Sequence, residues 1–505
     1  MAKYKHYDYS QNSLIPVNLE EQLIPGTLEF AIHHLVESRM DTSIFDDRYK
    51  NDEVGRCAYD PKVLLKVVLF GYSRGLITSR KIERACKENV TFMALSCSQQ
   101  PDHSTIAAFV SSMKEEIPSL FSDVLLVCEE ENLLGGTFFA LDGCRLSSNA
   151  SKEWSGKISD IEKKKERLES RIEQLLEEQI KEDKEDDKYG KDGGASGISN
   201  REKQIEKLQK RADKIEKFLK DNGPKIGKKG REVQSNVTDN ESTIMKTSRG
   251  VIQGYNGQAL VDSKKQVIVH GEASGEGYDQ HNIPPVFDGA KETLQRFGHA
   301  EDYFEGKILT ADSLYHSPTN LKKCDEEKLD AYIPDKNFRK RDPRLKRQRR
   351  SKPKKKRFTL EDFRYNEATD EYICPQGKML KLQAKNVESD RVIYRRYMAD
   401  RNDCQGCALR SKCITQKKAK RRTLSVPVGI TPDNFTKPMI EKIDSKEGRK
   451  IYDQRIGIVE PVFANIEINK GMDRFTLRGK IKVNIQWLLY RMVHNIGKIA
   501  VYGSV

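Results

Sequence analysis

Two acidic residues follow short apolar segments, a placement that suits metal-assisted chemistry. Asp142 comes after TFFAL at 137–141, and Asp312 comes after KILTA at 307–311. Each segment is rich in β-forming residues and predicts a buried strand with a carboxylate at its end. Mg²⁺ prefers carboxylate oxygens, and two such ions assist phosphoryl transfer. Many folds place a capping Asp at a strand end, so neither acid is specific by itself.

A third acid, Glu460, lies in the C-terminal stretch 450–479, which reads KIYDQRIGIVEPVFANIEINKGMDRFTLRG. Its apolar positions recur at helical spacing: Ile456, Val459, Phe463 and Ile466. This spacing predicts a helix with Glu460 roughly 80° from the apolar stripe, where an acid can reach a neighbouring cleft. Because Glu460 precedes Pro461, we expect the helix to kink or restart there. The alternative is a solvated helix with incidental acids.

Four ordered motifs run through nearly the whole chain. They are FFALDG around Asp142, MKTSRGVIQGYNGQALVD at 245–262, TADSLYH around Asp312, and the stretch 450–479. Together they resemble the insertion-sequence transposases of the DDE class. The resemblance implies an RNase H-like catalytic domain in which Asp142, Asp312 and Glu460 bind Mg²⁺ (or Mn²⁺).

Residues beside the third acid resemble the YREK signature that marks one branch of these transposases. Tyr452 and Arg455 match the Tyr and Arg of the signature, which in the family grip phosphates near the transposon end. The planar guanidinium of an arginine can donate two hydrogen bonds to a phosphate. The resemblance therefore assigns DNA binding to Tyr452 and Arg455.

The chain departs from the signature at two points. Glu467 stands where the signature has Lys, and the spacing from Arg455 to Glu460 is one residue longer than its short form. An acid cannot replace a phosphate-binding cation. That role is therefore vacant or moves to Lys470 or Arg474.

Four of the ten cysteines fall together. Cys374 opens CPQG, and Cys404, Cys407 and Cys413 form a CxxC followed by a third thiol. Four thiolates can close a tetrahedral Zn²⁺ site, although the second CxxC of a standard zinc ribbon is missing. The sequence predicts a candidate structural zinc site, with a small β-rich insertion lacking metal as the alternative.

Most of the positive charge lies in one basic run, Lys336 to Arg357. The formal charge of the 505-residue chain is +14, and this run holds fourteen Lys or Arg and one acid, a local +13. Such a run favours contact with DNA phosphates, with nuclear targeting or a solvated arm as alternatives. The residues assigned to DNA in this run are Arg347, Arg349 and Arg350.

Helical patterns precede and interrupt the strands. Short helices are predicted within 55–130 and resemble a helix-turn-helix, although a helical bundle without DNA contact is equally compatible. Heptad-spaced apolar residues at 158–182 and 205–219 predict an antiparallel coiled-coil hairpin, joined by a flexible segment at 181–200. It would be a spacer, or would dock on another domain, DNA or a second subunit.

The fold class expected is multidomain, with a helical N-terminal domain and an α/β RNase H-like catalytic domain carrying two insertions. The N-terminal DNA-binding domain spans 1–130, and the catalytic domain is divided among 131–154, 226–335 and 431–505. The coiled-coil insertion spans 155–225, and the basic, Cys-containing insertion spans 336–430. Strands near 258–261 and 266–270 and helices near 282–297 and 316–328 complete the expected α/β pattern.

The resulting hypothesis is a DNA transposase that binds terminal inverted repeats and catalyses metal-dependent cleavage and strand transfer. Its partners would be double-stranded DNA, at transposon ends and at the target, and a second copy in a homodimer. With no apolar run of about 18 residues, a cytoplasmic, nucleoid-associated protein without membrane contact is expected. The alternatives are an RNase H-like nuclease and a non-catalytic DNA-binding protein derived from a transposase.

Overall fold

The computed structural model describes most of the chain. The described residues are 18–49, 57–189, 195–227, 230–247, 250–344, 358–389, 392–414, 419–428 and 433–504. Arg347, Arg349 and Arg350, assigned to DNA from the sequence, lie outside them, so their role stays a prediction.

Short helices form the N-terminal region, as the sequence predicts. They are α1 (Leu28–Ser38), α2 (Pro61–Ser73), α3 (Ser79–Glu88), α4 (Val90–Leu95), α5 (His103–Ser112) and α6 (Ile117–Glu130). Asp60 accepts a hydrogen bond from the Lys62 N–H at 2.7 Å, and Asp102 accepts one from the Thr105 N–H at 2.7 Å. Both carboxylates cap backbone donors that a helix start leaves unpaired, which explains where α2 and α5 begin.

A long strand and a helical hairpin follow. The elements are β1 (Phe138–Ser147), β2 (Ser155–Gly156), α7 (Ile158–Tyr189) and α8 (Ala195–Asp221). The start of α7 packs on the end of α8, because Ile161, Ile215 and Phe218 share one buried cluster, so the two helices are antiparallel. The prediction of a flexible segment at 181–200 is wrong for the residues that α7 and α8 include. Its Lys and Glu residues are good helix formers, and they extend α7 to Tyr189.

Strands and helices then alternate up to the basic run. They are β3 (Ser235–Asn236), β4 (Thr243–Thr247), β5 (Gly250–Asp262), β6 (Ile268–His270), β7 (Ala273–Ser274), α9 (Ile283–Gln295), β8 (Ile308–Ala311), α10 (Pro318–Glu326), β9 (Asp330–Tyr332) and α11 (Phe338–Arg341). The helices α9 and α10 and the strands β5 and β6 occupy the segments where the sequence predicts them. The pattern confirms an α/β region after the N-terminal helices.

The central sheet is mixed, with strand order β4-β5-β1-β8-β9 and with β6 and β7 also paired to β5. β1 pairs with β5 antiparallel and with β8 parallel, and β8 pairs with β9 parallel. The parallel pairs are buried, as expected where helices cover a sheet.

A small second sheet occupies the Cys-containing insertion. Its elements are β10 (Arg364–Asn366), β11 (Glu371–Ile373), β12 (Met379–Ser389), β13 (Val392–Ala399), α12 (Arg401–Gln405), α13 (Arg410–Cys413) and β14 (Thr423–Pro427). The five strands pair in chain order, which is a meander of antiparallel neighbours. Its own buried cluster contains Leu380, Tyr397 and Leu424.

Three C-terminal helices complete the main core. They are α14 (Asp433–Asp444), α15 (Lys446–Ala464), which runs on into a π-helical turn at 465–469, and α16 (Lys480–Tyr502). The expected restart of the helix at Glu460 is wrong, because α15 continues through Pro461. The expected kink stays a prediction. α16 packs against both α2 and α6, and one buried cluster joins the N-terminal helices to the sheet. No helix in the described ranges is long and apolar enough to cross a membrane.

Candidate active site at the end of the parallel strands

Asp142 and Asp312 come together where the parallel pairing between β1 and β8 ends. Leu141 of β1 pairs with Ala311 of β8, and each acid is the next residue along its own strand. Neighbouring strands lie about 4.8 Å apart, so the two backbones are adjacent where the acids begin. The predicted placement of Asp142 at a strand end is wrong in one respect. β1 continues to Ser147, and Asp142 pairs across it with Ala259 of β5.

Arg455 of α15 lies directly on Asp142. Its Nη1 donates a hydrogen bond of 2.7 Å to Asp142 Oδ2, and the arginine side chain is only 11% exposed. Tyr452, one turn earlier, packs edge-on against Phe338 of α11, with 5.4 Å between ring centroids. The Tyr and Arg assigned from the signature therefore lie beside the acids, with the guanidinium facing them.

The charges around Asp312 favour an additional cation. Burial raises the pKa of the Asp312 carboxyl, and the nearby Asp142 and Asp279 carboxylates raise it further. The Leu314 N–H, which donates to Asp312 Oδ1 at 2.6 Å, and the Arg455 charge act in the opposite direction. Two close carboxylates of this kind supply hard oxygen ligands for a divalent ion.

Glu460 does not complete this pair in the structure. It lies exposed on α15, whereas Ile458, Val459 and Val462 form the buried face. Glu460 follows Arg455 by five residues, which turns it roughly 140° away from the guanidinium that faces Asp142. Among the described residues, no three His, Cys, Asp or Glu side chains are arranged to hold a metal ion. The donor set therefore fits a divalent ion in part, through Asp142 and Asp312.

The apolar stripe predicted for this helix is only partly correct. Val459 and Ile466 are buried, but Ile456 is 52% exposed. The buried face of α15 is centred on Ile458, Val459 and Val462, because the helix packs on β1 and β8 through that side. The sequence pattern therefore predicted the wrong buried face for this helix. As a result, it also predicted the wrong direction for the Glu460 side chain.

The residues that follow α15 differ in accessibility. Burial and the Glu467 carboxylate raise the pKa of the Cys144 thiol, which places Glu467 beside the β1 face that also carries Asp142. Lys470 is only 7% exposed, and burial lowers its pKa to about 8, helped by Lys498 and Arg74. Arg474 is exposed, so it is the better placed of the two candidate cations to meet a phosphate.

The four clustered cysteines form a second candidate site, beside the small sheet. All four are free and half-buried. Burial raises the pKa of the Cys413 thiol, and the Cys404, Cys374 and Cys407 thiols raise it further. Cys374, Cys404 and Cys413 pack against the same buried cluster. The Lys378 N–H donates to Cys374 Sγ at 3.3 Å. This turn resembles one knuckle of a thiolate metal site, although no three-ligand metal group is present in the described part of the chain.

In the described start of the basic run, two arginines form ion pairs with acidic residues. Arg341 pairs with Asp335 and Asp444, and Arg344 pairs with Asp342 and with Asp453 of α15. These ion pairs hold 336–344 against α14 and α15, next to Tyr452. Their charges are therefore partly neutralised within the protein.

A buried polar cluster behind the two acids was not predicted from the sequence. Asn256 and Gln258 of β5 both donate to Asp279 Oδ1, at 2.6 and 3.0 Å, and Gln258 also accepts the Tyr315 hydroxyl. All four residues are at most 7% exposed. The available signal was the alternation of Asn and Gln in YNGQ, since two polar residues on one face of an otherwise apolar strand need buried partners.

Gly143 makes room for this cluster, which leads to a stability prediction. A Cβ there would clash with the Gln258 amide and would lie 2.8 Å from Asn256 Oδ1. Gly143→Ala is expected to lower the free energy of unfolding by about 1–3 kcal/mol, as overpacking does. The control is Gly457→Ala in α15, where a Cβ meets nothing within 4 Å. It should raise stability by roughly 0.5–1 kcal/mol, as Gly-to-Ala changes in helices do. Denaturant titration measures both, and equal stability of the two variants would contradict the expected crowding.

Comparison with known protein families matches both ends of the chain. The model of a transposase DDE domain matches residues 373–500, and that of a transposase domain named DUF772 matches residues 17–112. No curated protein matches the chain. The first match includes the cysteine cluster and Glu460, and the second covers the N-terminal helices. Asp142 and Asp312 lie between the two.

The matches of two transposase-domain models to this one chain support its identification as a transposase. The helical N-terminal region and the mixed α/β sheet are consistent with a DDE transposase. A DDE domain suggests nuclease or transposase activity, and transposases act on DNA.

Proposed function

We propose that this protein is an insertion-sequence transposase of the YREK branch that binds terminal inverted repeats and carries out metal-dependent DNA cleavage and strand transfer. The observation that carries the proposal is the placement of Asp142 and Asp312, each the first residue after the parallel β1–β8 pairing, beside Arg455. They lie within a chain matched at both ends to transposase domains. The mixed sheet, with the two acids on neighbouring parallel strands, supports an RNase H-like catalytic domain.

The site residues have distinct roles in this proposal. Asp142, Asp312 and Glu460 would hold Mg²⁺ or Mn²⁺, which neutralises the scissile phosphate and activates the attacking oxygen. Arg455 and Tyr452 would position phosphate oxygens near the transposon end. Water attacks the phosphate at the element end, and the freed 3′-hydroxyl then attacks a target strand in line.

The DNA contacts would be spread over several parts of the chain. The N-terminal helices and the basic run would hold the terminal repeat, and Arg474 would supply the cation that the signature places at 467. Lys470 is a weaker candidate, because its burial leaves little access for a phosphate. A homodimer would bring two element ends together, with the α7–α8 hairpin as one candidate surface.

The experiment that tests the proposal combines the purified protein, its flanking inverted repeats and Mg²⁺. Metal-dependent nicking at the repeat ends supports it, and end binding without cleavage at any Mg²⁺ or Mn²⁺ concentration would favour the non-catalytic DNA-binding protein. A pre-cut element end then separates transposase from nuclease. Joining of that end to target DNA is expected, whereas hydrolysis alone would identify an RNase H-like nuclease.

We also propose that Cys374, Cys404, Cys407 and Cys413 bind one structural Zn²⁺. The support is the packing of Cys374, Cys404 and Cys413 against one buried cluster and the N–H donated to Cys374 Sγ. Hydrogen bonds of this kind favour the thiolate form that binds metal. Freshly purified protein is expected to contain about one Zn²⁺ per chain, lost in Cys404→Ser/Cys407→Ser. Elemental analysis measures it, with Cys86→Ser, at a buried cysteine outside the cluster, as the control. Fresh wild-type protein without zinc would identify a metal-free β-rich insertion.

A further inference from the structure

A directional chain of hydrogen bonds runs behind the two acids. The Tyr315 hydroxyl donates to Gln258 Oε1, and Gln258 Nε2 donates to Asp279 Oδ1 at 3.0 Å. Asn256 and Asn282 donate to the same oxygen at 2.6 and 3.5 Å. Because an ionised carboxylate only accepts, it fixes which end of the Gln258 amide faces the tyrosine.

At one end, this series of hydrogen bonds holds the loop that carries Asp312. The Tyr315 N–H donates to the Asp312 carbonyl oxygen at 3.1 Å. The Asn320 amide in turn donates to the Tyr315 carbonyl oxygen at 2.8 Å. Both the backbone and the hydroxyl of Tyr315 are thus engaged, while Leu314 beside it is 48% exposed. The position of this loop depends on the tyrosine and on what the tyrosine contacts.

The other end of this series of hydrogen bonds lies against β1, the strand that carries Asp142. Gln258 is the register partner of Gly143, whose N–H donates to Asp142 Oδ1 at 2.9 Å. The Gln258 carbonyl accepts the indole N–H of Trp487 at 3.0 Å, which anchors this point to α16. The same residue therefore sits next to β1 and reaches the Asp312 loop.

Asp279 is an unusual residue for a purely structural position. It is 7% exposed, and its closest cation, Arg145, lies 3.6 Å from Oδ2. A buried charge is costly unless several donors satisfy it, and an apolar residue would fill the same space at less cost. What the carboxylate provides is a fixed orientation for three amides, the kind of contact that aligns metal ligands in other sites.

We propose that Asn256, Gln258, Asp279 and Tyr315 form a positioning network that sets where Asp312 lies relative to Asp142. This inference rests on the proposed function, in which those two acids bind a divalent ion. In this proposal the network neither ligates the metal nor binds DNA. It acts through the Asp312 loop and through the strand position opposite Gly143.

The test measures Mn²⁺ binding by titration calorimetry to the full-length protein without DNA. Tyr315→Phe removes one hydroxyl, and Asp279→Asn removes one charge at constant size. Each is expected to weaken Mn²⁺ binding about 10–100-fold, the usual effect of losing a contact behind metal ligands. The matched control is Tyr490→Phe, because the buried Tyr490 hydroxyl has no hydrogen-bond partner among the described residues. Its Mn²⁺ affinity should equal that of wild type.

Cleavage of a repeat end at increasing Mn²⁺ gives a second readout that a folding defect would not produce. Slow cleavage by Tyr315→Phe should return toward the wild-type rate at saturating Mn²⁺, at a temperature where thermal unfolding shows the variant to be folded. If Tyr315→Phe is not folded at the assay temperature, Asp279→Asn decides. Wild-type affinity in both folded variants would overturn the network. A wild-type protein that neither binds Mn²⁺ nor cleaves would instead overturn the proposed function, and the network with it.

Discussion

Asp142→Asn and Asp312→Asn are each expected to slow cleavage of an element end by about 10³-fold or more while leaving end binding nearly unchanged. Each substitution removes one negative charge from the two neighbouring carboxylates that follow the parallel β1–β8 pairing. A bound metal stabilises the transition state by several kcal/mol, and about 4 kcal/mol corresponds to roughly 10³-fold in rate. The surface proposed to contact DNA is not altered, so binding measured by gel shift should persist.

Glu460→Gln is expected to have the same effect, and it is the sharper experiment because Glu460 is exposed and turned away from Arg455. Loss of cleavage would mean that α15 rotates or unwinds near Pro461 when metal and DNA bind. The matched control is Glu447→Gln in the first turn of the same helix, also exposed, which should cleave normally. Full activity of any one of the three variants would remove that residue from the proposed triad.

The paired acids were predictable because local and non-local signals agree. TFFAL and KILTA are short β-rich segments, and parallel strands flanked by helices bring their carboxyl ends to the same edge of a sheet. Family resemblance added Arg455, which the structure places on Asp142. The extension of β1 to Ser147 was not predictable from the run of apolar residues. Asp142 and Gly143 look like a strand end, and only the pairing with β5 continues the strand.

The direction of the Glu460 side chain and the formation of the polar network both depend on packing. No periodicity in the sequence specifies that packing. A hydrophobic stripe fixes the rotation of a helix only approximately, and Ile456 could have faced the sheet as well as Ile458 did. Which one is buried depends on how α15 crosses β1 and β8. Asp279 is far in sequence from Asn256 and Tyr315 and shares no periodicity with them. Its role becomes visible only once the strands and the loop are placed in space.

Replacing Arg347, Arg349, Arg350, Lys354, Lys355 and Lys356 with Gln is expected to flatten the salt dependence of DNA binding by several units. If the basic run contacts about 5–8 phosphates, log affinity should fall with log salt at a slope near −0.9 per contact. These six residues are predicted to dominate because Arg341 and Arg344, earlier in the run, already pair with acids of the protein.

The matched control removes an equal charge from the exposed face of α8, by changing Lys203, Lys207, Lys210, Arg211, Lys217 and Lys220 to Gln. Its salt slope should stay at the wild-type value unless the hairpin itself contacts DNA. Preference for the terminal repeat over other DNA should survive in both variants, since phosphate contacts position a protein without reading sequence. An unchanged slope in the basic-run variant would make that run a solvated arm. The phosphate contacts would then have to come from other cations, with the exposed Arg474 beside the end of β1 the first to change.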